Sequence, residues 1–248
     1  MVADGDQSAL TRCNSVWIHG AGLAGDTWDA MTVDLPLAQK PDLPGHGDAP
    51  LVDQRRVETY AKVLADQIQA NTVVIGHSLG GMVALELAMR AKDRVAALIL
   101  VEAVPTVRDR LSGRLSATIS AALFKAIPLS WFTWLSGVGQ TEATRTELCR
   151  QMARMDPPRI IAALDAAASY DGRPHLPLVA VPTLIIVGRK NKATHRGSKL
   201  MADTIPGAQM VTMGGGHMLH NDIPVGWRQA IAEFVGSVWA GRGEPGQQ

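Results

Sequence analysis

Short runs of apolar residues, each bounded by turn-forming residues, recur along the chain. Apolar side chains occupy successive positions in these runs and do not alternate with polar ones. This pattern is typical of parallel strands whose sheet is covered on both faces. The runs that predict such strands are Ser15–Ile18, Thr72–Ile75, Val95–Val101 and Thr183–Val187.

Between these runs, apolar residues recur at the spacing of one helix face. Such a repeat predicts an amphipathic helix that packs on the sheet. The two clearest sets are Val57, Tyr60, Ala61, Leu64 and Ile68, and near the end Ile231, Phe234, Val235 and Val238. Strands that alternate with helices predict an α/β fold.

The segment 105–177 interrupts this alternation. It offers helix-like stretches at Ser116–Ile127, Glu142–Met155 and Arg159–Ala168, with no convincing strand between them. We predict a core domain formed by residues 1–104 and 178–248, with residues 105–177 inserted as a helical cap. The alternative is that these stretches are further crossover helices of the main layer.

Composition narrows the classes of partner. The 248 residues carry a formal net charge of +1 and are 46% hydrophobic, which fits a globular domain without a strong field for nucleic acid or an anionic membrane. The N-terminal residues lack the apolar run of a signal peptide or membrane anchor, and Cys13 and Cys149 have no metal-type spacing. We therefore expect a cytoplasmic protein without nucleic-acid or membrane partners, and its oligomeric state stays open.

The most informative motif is Gly76-His77-Ser78-Leu79-Gly80, which follows a predicted strand and precedes a predicted helix. A serine between two such glycines in this context is typical of a nucleophile elbow, a sharp turn that presents the hydroxyl at the carboxyl end of the sheet. Ser78 is therefore the candidate nucleophile. His77 is not its base, because adjacent strand residues point to opposite faces, so we expect it to pack beneath the turn.

Four segments together resemble the α/β-hydrolase superfamily in their order along the chain. They are His19-Gly20-Ala21-Gly22, Asp42-Leu43-Pro44-Gly45-His46-Gly47, the elbow with Gly81, and Gly216-His217. The sequence looks most similar to the small capped esterases, lactonases and methylesterases of that superfamily. The resemblance implies an α/β-hydrolase fold, with a mostly parallel central sheet, helices on both faces and an inserted helical cap.

The resemblance also implies roles for individual residues. The backbone amides of Ala21 and Leu79 would form the oxyanion hole, and His217, on a glycine-rich loop before the final helix, would be the general base. His220 is the rival base, although we favour a supporting or surface position for it. We assign His46 a structural role, because no second ligand stands at metal-binding spacing.

The third member of the triad departs from the usual pattern. Most relatives carry an aspartate after the strand that corresponds to Thr183–Val187, but this chain has Asn191 there. Glu102 ends an otherwise apolar strand, where a buried carboxylate without a partner would be costly. Since some relatives take their acid from this position, the resemblance implies that Glu102 orients His217. The alternative is a glutamate that faces solvent at the cap entrance.

These residues predict a serine hydrolase that cleaves an ester or lactone of a small, moderately apolar molecule through an acyl-enzyme, without a cofactor or metal. The residues expected to line the substrate pocket are Gly22, Met82, Trp131, Trp134 and Met155. A carbon–carbon hydrolase, hydroxynitrile lyase, perhydrolase or acyltransferase would keep the same pair, and a non-catalytic ligand receptor is a further alternative. Dehalogenation is disfavoured, because that chemistry uses a carboxylate where Ser78 stands.

Overall fold

One parallel sheet organises the chain in this computed structural model, which describes residues 9–107 and 141–241. Its strands lie in the order β2-β1-β3-β4-β5-β6, and every neighbouring pair runs parallel. The strands are β1 (Ser15–Ile18), β2 (Ala38–Gln39), β3 (Thr72–His77), β4 (Val95–Val101), β5 (Thr183–Gly188) and β6 (Gln209–Met213).

Helices follow the strands as the apolar periodicity predicts. The α-helices of the described residues that we label are α1 (Asp29–Thr32), α2 (Val57–Ala65), α3 (Leu79–Arg90), α4 (Glu142–Met152), α5 (Pro157–Ser169), α6 (Lys192–Thr204), α7 (Leu219–Asp222) and α8 (Pro224–Ala240). Short 3₁₀ helices occupy Gly25–Trp28 and Arg173–Leu178. Among the described residues, no helix has both the length and the apolar character that crossing a membrane requires.

The four strands predicted from apolar runs are confirmed, and β3 and β5 extend to His77 and Gly188. The two edge strands are not among these apolar runs, because β2 has only two residues and most of β6 is exposed. Each of the four predicted strands is buried along its whole length, as continuous apolar runs require.

Helices cover both faces of the sheet, so alternate strand residues enter two separate cores. In β3, Val74 packs into the core formed with α2 and α3, whereas Val73 and Ile75 enter the core beneath α8. The predicted α/β architecture, a parallel sheet with helices on both faces, is therefore confirmed.

The strand order reverses at β1. From β1 the chain first adds β2 on one side and then returns to add β3 on the other. In open α/β sheets, ligands bind outside the carboxyl ends of the strands at such a reversal. The segments that leave β1 and β3 there are the ones that contain Ala21 and Ser78.

Two helices, α4 and α5, lie in the segment predicted to form the cap, and no strand occurs in its described parts, 105–107 and 141–177. The helix predicted at 116–127 lies outside the described residues. The division into core and cap therefore stays a prediction.

Candidate active site

The turn between β3 and α3 has the geometry of a nucleophile elbow. Ser78 has φ 54° and ψ −116°, a conformation that non-glycine residues rarely adopt. A Cβ atom at Gly76 would lie 2.3 Å from the carbonyl oxygen of Gly80, and one at Gly80 would lie 2.3 Å from that of Ile18. The two glycines therefore permit the strained turn that places Ser78 at the start of α3.

The loop after β1 lies directly against this turn. A Cβ atom at Gly20 would come within 3.3 Å of the Ser78 Cβ. The amide nitrogens of Ala21 and Leu79 have no hydrogen-bond partner among the described residues. Two free amides are thus available on the two segments that border Ser78.

Polar side chains fix the backbone of that loop. His19 donates from Nδ1 to the Gly20 carbonyl at 2.8 Å and accepts the Leu43 amide at Nε2 over 3.0 Å. Burial and the neighbouring His46 ring lower the pKa of His19 to about 3, so His19 is neutral as this pairing requires. Asp42 accepts the amide of Gly25 at 2.7 Å. These bonds explain why histidine and aspartate occur in the two loop motifs.

His217 lies beside the elbow on the loop between β6 and α7. Its ring centroid is 4.8 Å from that of His77, and its carbonyl accepts a hydrogen bond from His77 Nε2 at 2.9 Å. His77 is buried beneath the turn, as the strand alternation predicts. The side chains of Ser78 and His217 are both among the described residues, and no hydrogen bond joins Ser78 Oγ to the His217 ring. Catalytic hydrogen bonds often form only when substrate binds.

Glu102 faces the interior, not solvent. Its side chain is 0% exposed, and its backbone has φ 50°, so the chain turns in a strained conformation at the end of β4. Oε1 accepts the amide of Gly188, and Oε2 accepts the hydroxyl of Thr194 at 2.7 Å. His217 Nδ1 lies 3.5 Å from Oε2. The carboxylate is thus paired, and the imidazole is one of its neighbours.

Asn191 stands between this carboxylate and the imidazole. Its Nδ2 donates to Glu102 Oε2 at 2.5 Å and lies 2.9 Å from His217 Nδ1. The nitrogen of a side-chain amide donates hydrogen bonds and does not accept them, so this arrangement suits an Nδ1 without a proton. A base that takes a proton at Nε2 needs the opposite tautomer, with its Nδ1 proton donated to an acceptor. Asn191 and His217 therefore compete for the same carboxylate oxygen.

The other two histidines weighed from sequence have structural settings. His220 is buried, its ring lies 4.6 Å from that of Trp28, and burial lowers its pKa to about 4. The His46 ring lies against that of His19, with centroids 4.9 Å apart and the ring planes tilted by 57°. In residues 9–107 and 141–241, no group of three or more His, Cys, Asp or Glu side chains is arranged to hold a metal ion.

Apolar side chains of the predicted cap segment gather near the loop after β1. Met152, Met155 and Ile160 form a buried cluster, and Met152 lies against Gly22. Met82 is buried in the core on α3. Trp131 and Trp134, also expected in the pocket, lie outside the described residues.

Two groups that hold Glu102 were missed from the sequence. Thr194 donates its hydroxyl to the carboxylate, and Gly188 donates its backbone amide. Both are more than 80 residues away from Glu102 along the chain. No local sequence pattern marks such partners, because β4 and β5 meet only in the folded sheet.

Comparison with known proteins agrees with this architecture. The sequence pattern described as "Alpha/beta hydrolase family" matches residues 16–230. The chain belongs to the alpha/beta hydrolase family. Among curated relatives of this hydrolase, a pimeloyl-[acyl-carrier protein] methyl ester esterase of Neisseria meningitidis is 30% identical over 211 residues, which are 79% of this chain and 82% of the relative.

Solved structures share the fold at lower identity. An esterase from Exiguobacterium antarcticum superposes with a TM-score of 0.80 at 19% identity, over 89% of this chain and 91% of that one. An enol-lactonase from Burkholderia xenovorans superposes with a TM-score of 0.75 at 18% identity, over 89% and 90% of the two chains. These likenesses establish the fold of the hydrolase, while its chemistry rests on the site.

Proposed function

We propose that this protein is a serine esterase that cleaves a carboxylic ester or lactone of a small, moderately apolar molecule through an acyl-enzyme. The observation that carries the proposal is the strained Ser78 elbow, with the free amides of Ala21 and Leu79 on its two sides. Relatives named as methyl ester esterases make an ester the favoured substrate class.

In the first step, Ser78 Oγ attacks the carbonyl carbon while His217 Nε2 takes the hydroxyl proton. The developing oxyanion accepts hydrogen bonds from the amides of Ala21 and Leu79, each of which contributes about 3 to 4 kcal/mol to lowering the barrier. His217 then protonates the departing alcohol, which leaves Ser78 acylated. Water, deprotonated by the same imidazole, releases the acid and restores the serine.

Glu102 stabilises the imidazolium that forms in both steps. For this, the His217 Nδ1 proton must point at Oε2, now 3.5 Å away and shared with Asn191. Rotation of the Asn191 side chain away from Nδ1 would let this hydrogen bond form. In this mechanism Glu102 is the acid, and Asn191 limits its access to the base.

The side chains near the loop after β1 favour an uncharged substrate. Met152, Met155 and Ile160 form a buried apolar cluster there. Methionine adapts its shape to different apolar groups, which suits a pocket that accepts several acyl chains. We therefore expect better turnover of short to medium acyl esters than of charged ones.

A panel of p-nitrophenyl and methyl esters and of lactones tests the proposal. With the wild type we expect acid and alcohol in equal amounts from the esters, the ring-opened hydroxy acid from the lactones, and a transient acyl adduct at Ser78 by mass spectrometry. Ser78→Ala should lose at least about 10³-fold in kcat, as expected for removal of a triad nucleophile. Ser237→Ala is the control, because that hydroxyl only bonds the Phe234 carbonyl within α8. Unchanged turnover in Ser78→Ala would refute the proposal.

A further inference from the structure

Asp222 joins two elements that the proposed mechanism needs close together. Its Oδ2 accepts the backbone amide of Gly216, the residue before His217, at 2.6 Å. Its Oδ1 accepts the hydroxyls of Thr141 and Thr144 at 2.6 and 2.9 Å. One carboxylate therefore holds the loop of the proposed base with one oxygen and the start of α4 with the other.

The start of α4 is well suited to this bond. Thr141 is the N-cap residue, and its hydroxyl also accepts the Thr144 amide. Thr144 is buried, so its hydroxyl points at Asp222 and away from water. A carboxylate beside a helix N-terminus is also favoured by the helix dipole. Hydrogen bonds from Thr141, Gly216 and Thr144 outweigh burial and lower the pKa of Asp222, which keeps it ionised.

The other end of α4 is tied to the loop that carries the proposed oxyanion donor. Gln151 donates to Asp26 Oδ1 at 2.6 Å, and Arg150 and Arg154 donate to Oδ2 at 2.9 and 2.5 Å. Asp26 lies in the 3₁₀ helix just after the Gly20–Gly22 turn. Helix α4 is thus anchored at one end to the His217 loop and at the other to the oxyanion loop.

We propose that Asp222 is a positioning residue that fixes the His217 loop only while α4 is seated on the core. This inference rests on the proposed function and assigns a catalytic consequence to contact between the predicted cap segment and the core. A base held through its preceding amide has less freedom to move away from Ser78. Since a misplacement of about 1 Å costs on the order of 10²-fold in rate, the anchor should be visible in turnover.

Three variants separate the parts of this anchor. Asp222→Ala removes both arms, whereas Thr144→Val removes one hydroxyl on α4 with almost no change of shape. Asp222→Asn keeps an oxygen for Gly216 and offers its amide to the threonine hydroxyls, which can turn to accept it. Asp203→Ala is the control, because that carboxylate pairs only with exposed Lys199 on α6.

The measurements are kcat and KM on the ester panel, and the rate and extent of Ser78 labelling by a fluorophosphonate, all well below the melting temperature. We expect Asp222→Ala to lose about 10²-fold in kcat and in labelling rate. KM should change little, and labelling should still go to completion. Thr144→Val should lose several-fold with an unchanged melting temperature, and Asp222→Asn and Asp203→Ala should stay close to wild type.

Wild-type labelling rates in both Asp222→Ala and Thr144→Val would overturn the inference. A loss in Asp222→Asn as large as in Asp222→Ala would overturn it too, because activity would then follow charge and not the hydrogen bonds. If Asp222→Ala does not fold, Thr144→Val decides alone. Failure of the proposed function looks different, since Ser78 would then remain unlabelled in the wild type as well.

Discussion

Replacing Glu102 by glutamine tests whether the acid comes from the end of β4. The change keeps the shape but removes the negative charge 3.5 Å from His217 Nδ1. At this separation an effective dielectric constant of about 20 gives about 5 kcal/mol of attraction to the imidazolium, and one of about 40 gives about 2 kcal/mol. Because the His217 side chain is 34% exposed, we use these two values as the range of the expected effect.

We therefore expect Glu102→Gln to lower kcat by roughly 30-fold to 5,000-fold, since 1.36 kcal/mol corresponds to a factor of ten. KM should change much less, because the charge matters only when the imidazole is protonated in the transition state. Steady-state kinetics on one good ester and thermal unfolding of the same samples are sufficient for this measurement.

A double variant supplies the matched control. Glu102→Gln combined with Asn191→Asp moves the carboxylate to the side chain whose terminal nitrogen already lies 2.9 Å from His217 Nδ1. The glutamine amide can then donate to the new carboxylate, so the pair keeps a hydrogen bond with its donor and acceptor exchanged. We expect most of the lost kcat to return. A folded Glu102→Gln variant within threefold of wild type would refute the assignment of Glu102.

Three further outcomes follow from the same contacts. Asn191→Ala should raise kcat several-fold in the ester assay, because it leaves Glu102 Oε2 free to accept the His217 Nδ1 proton. A decrease in kcat would instead show that the Asn191 amide supports the base. Gly80→Ala should express with little folded protein, as judged by circular dichroism, because its Cβ would lie 2.3 Å from the Ile18 carbonyl oxygen. A melting curve like that of the wild type would contradict this close approach. His220 has a pKa of about 4 in the fold and about 6.5 in the unfolded chain. As the pH falls, the unfolded state therefore binds its proton first. The free energy of unfolding drops by about 3 kcal/mol between these two pH values. Urea unfolding at pH 7 and pH 4.5 should show a smaller drop in His220→Gln, and an equal drop would exclude His220 as its source.

The sequence alone predicted the parts of the fold that depend on residues close together along the chain. Unbroken apolar runs predict buried parallel strands, because both faces of such strands are covered. The elbow is also a local feature, since Gly76 and Gly80 approach each other across the Ser78 turn itself. Residues only a few positions apart determine these elements, so a pattern in the printed sequence was enough.

For the acid of the proposed triad, the sequence left two candidate positions. Glu102 and Asn191 both follow strands whose carboxyl ends meet at one edge of the sheet, so either is close enough to serve His217. The sequence does not show how their side chains share the space. In the fold, Asn191 donates to Glu102 and leaves the imidazole beside its amide, which makes the two positions one connected group.

The anchor formed by Asp222 lay beyond sequence reasoning altogether. Thr141 and Thr144 are about 80 residues from Asp222 along the chain, and short polar residues of these types occur throughout the sequence. The chain by itself determined a parallel α/β core with a serine elbow, because periodicity and close glycine spacing are local. Tertiary structure decided how Glu102 and Asn191 lie beside His217 and what holds its loop, because hydrogen bonds between distant segments exist only after the sheet and helix α4 have come together.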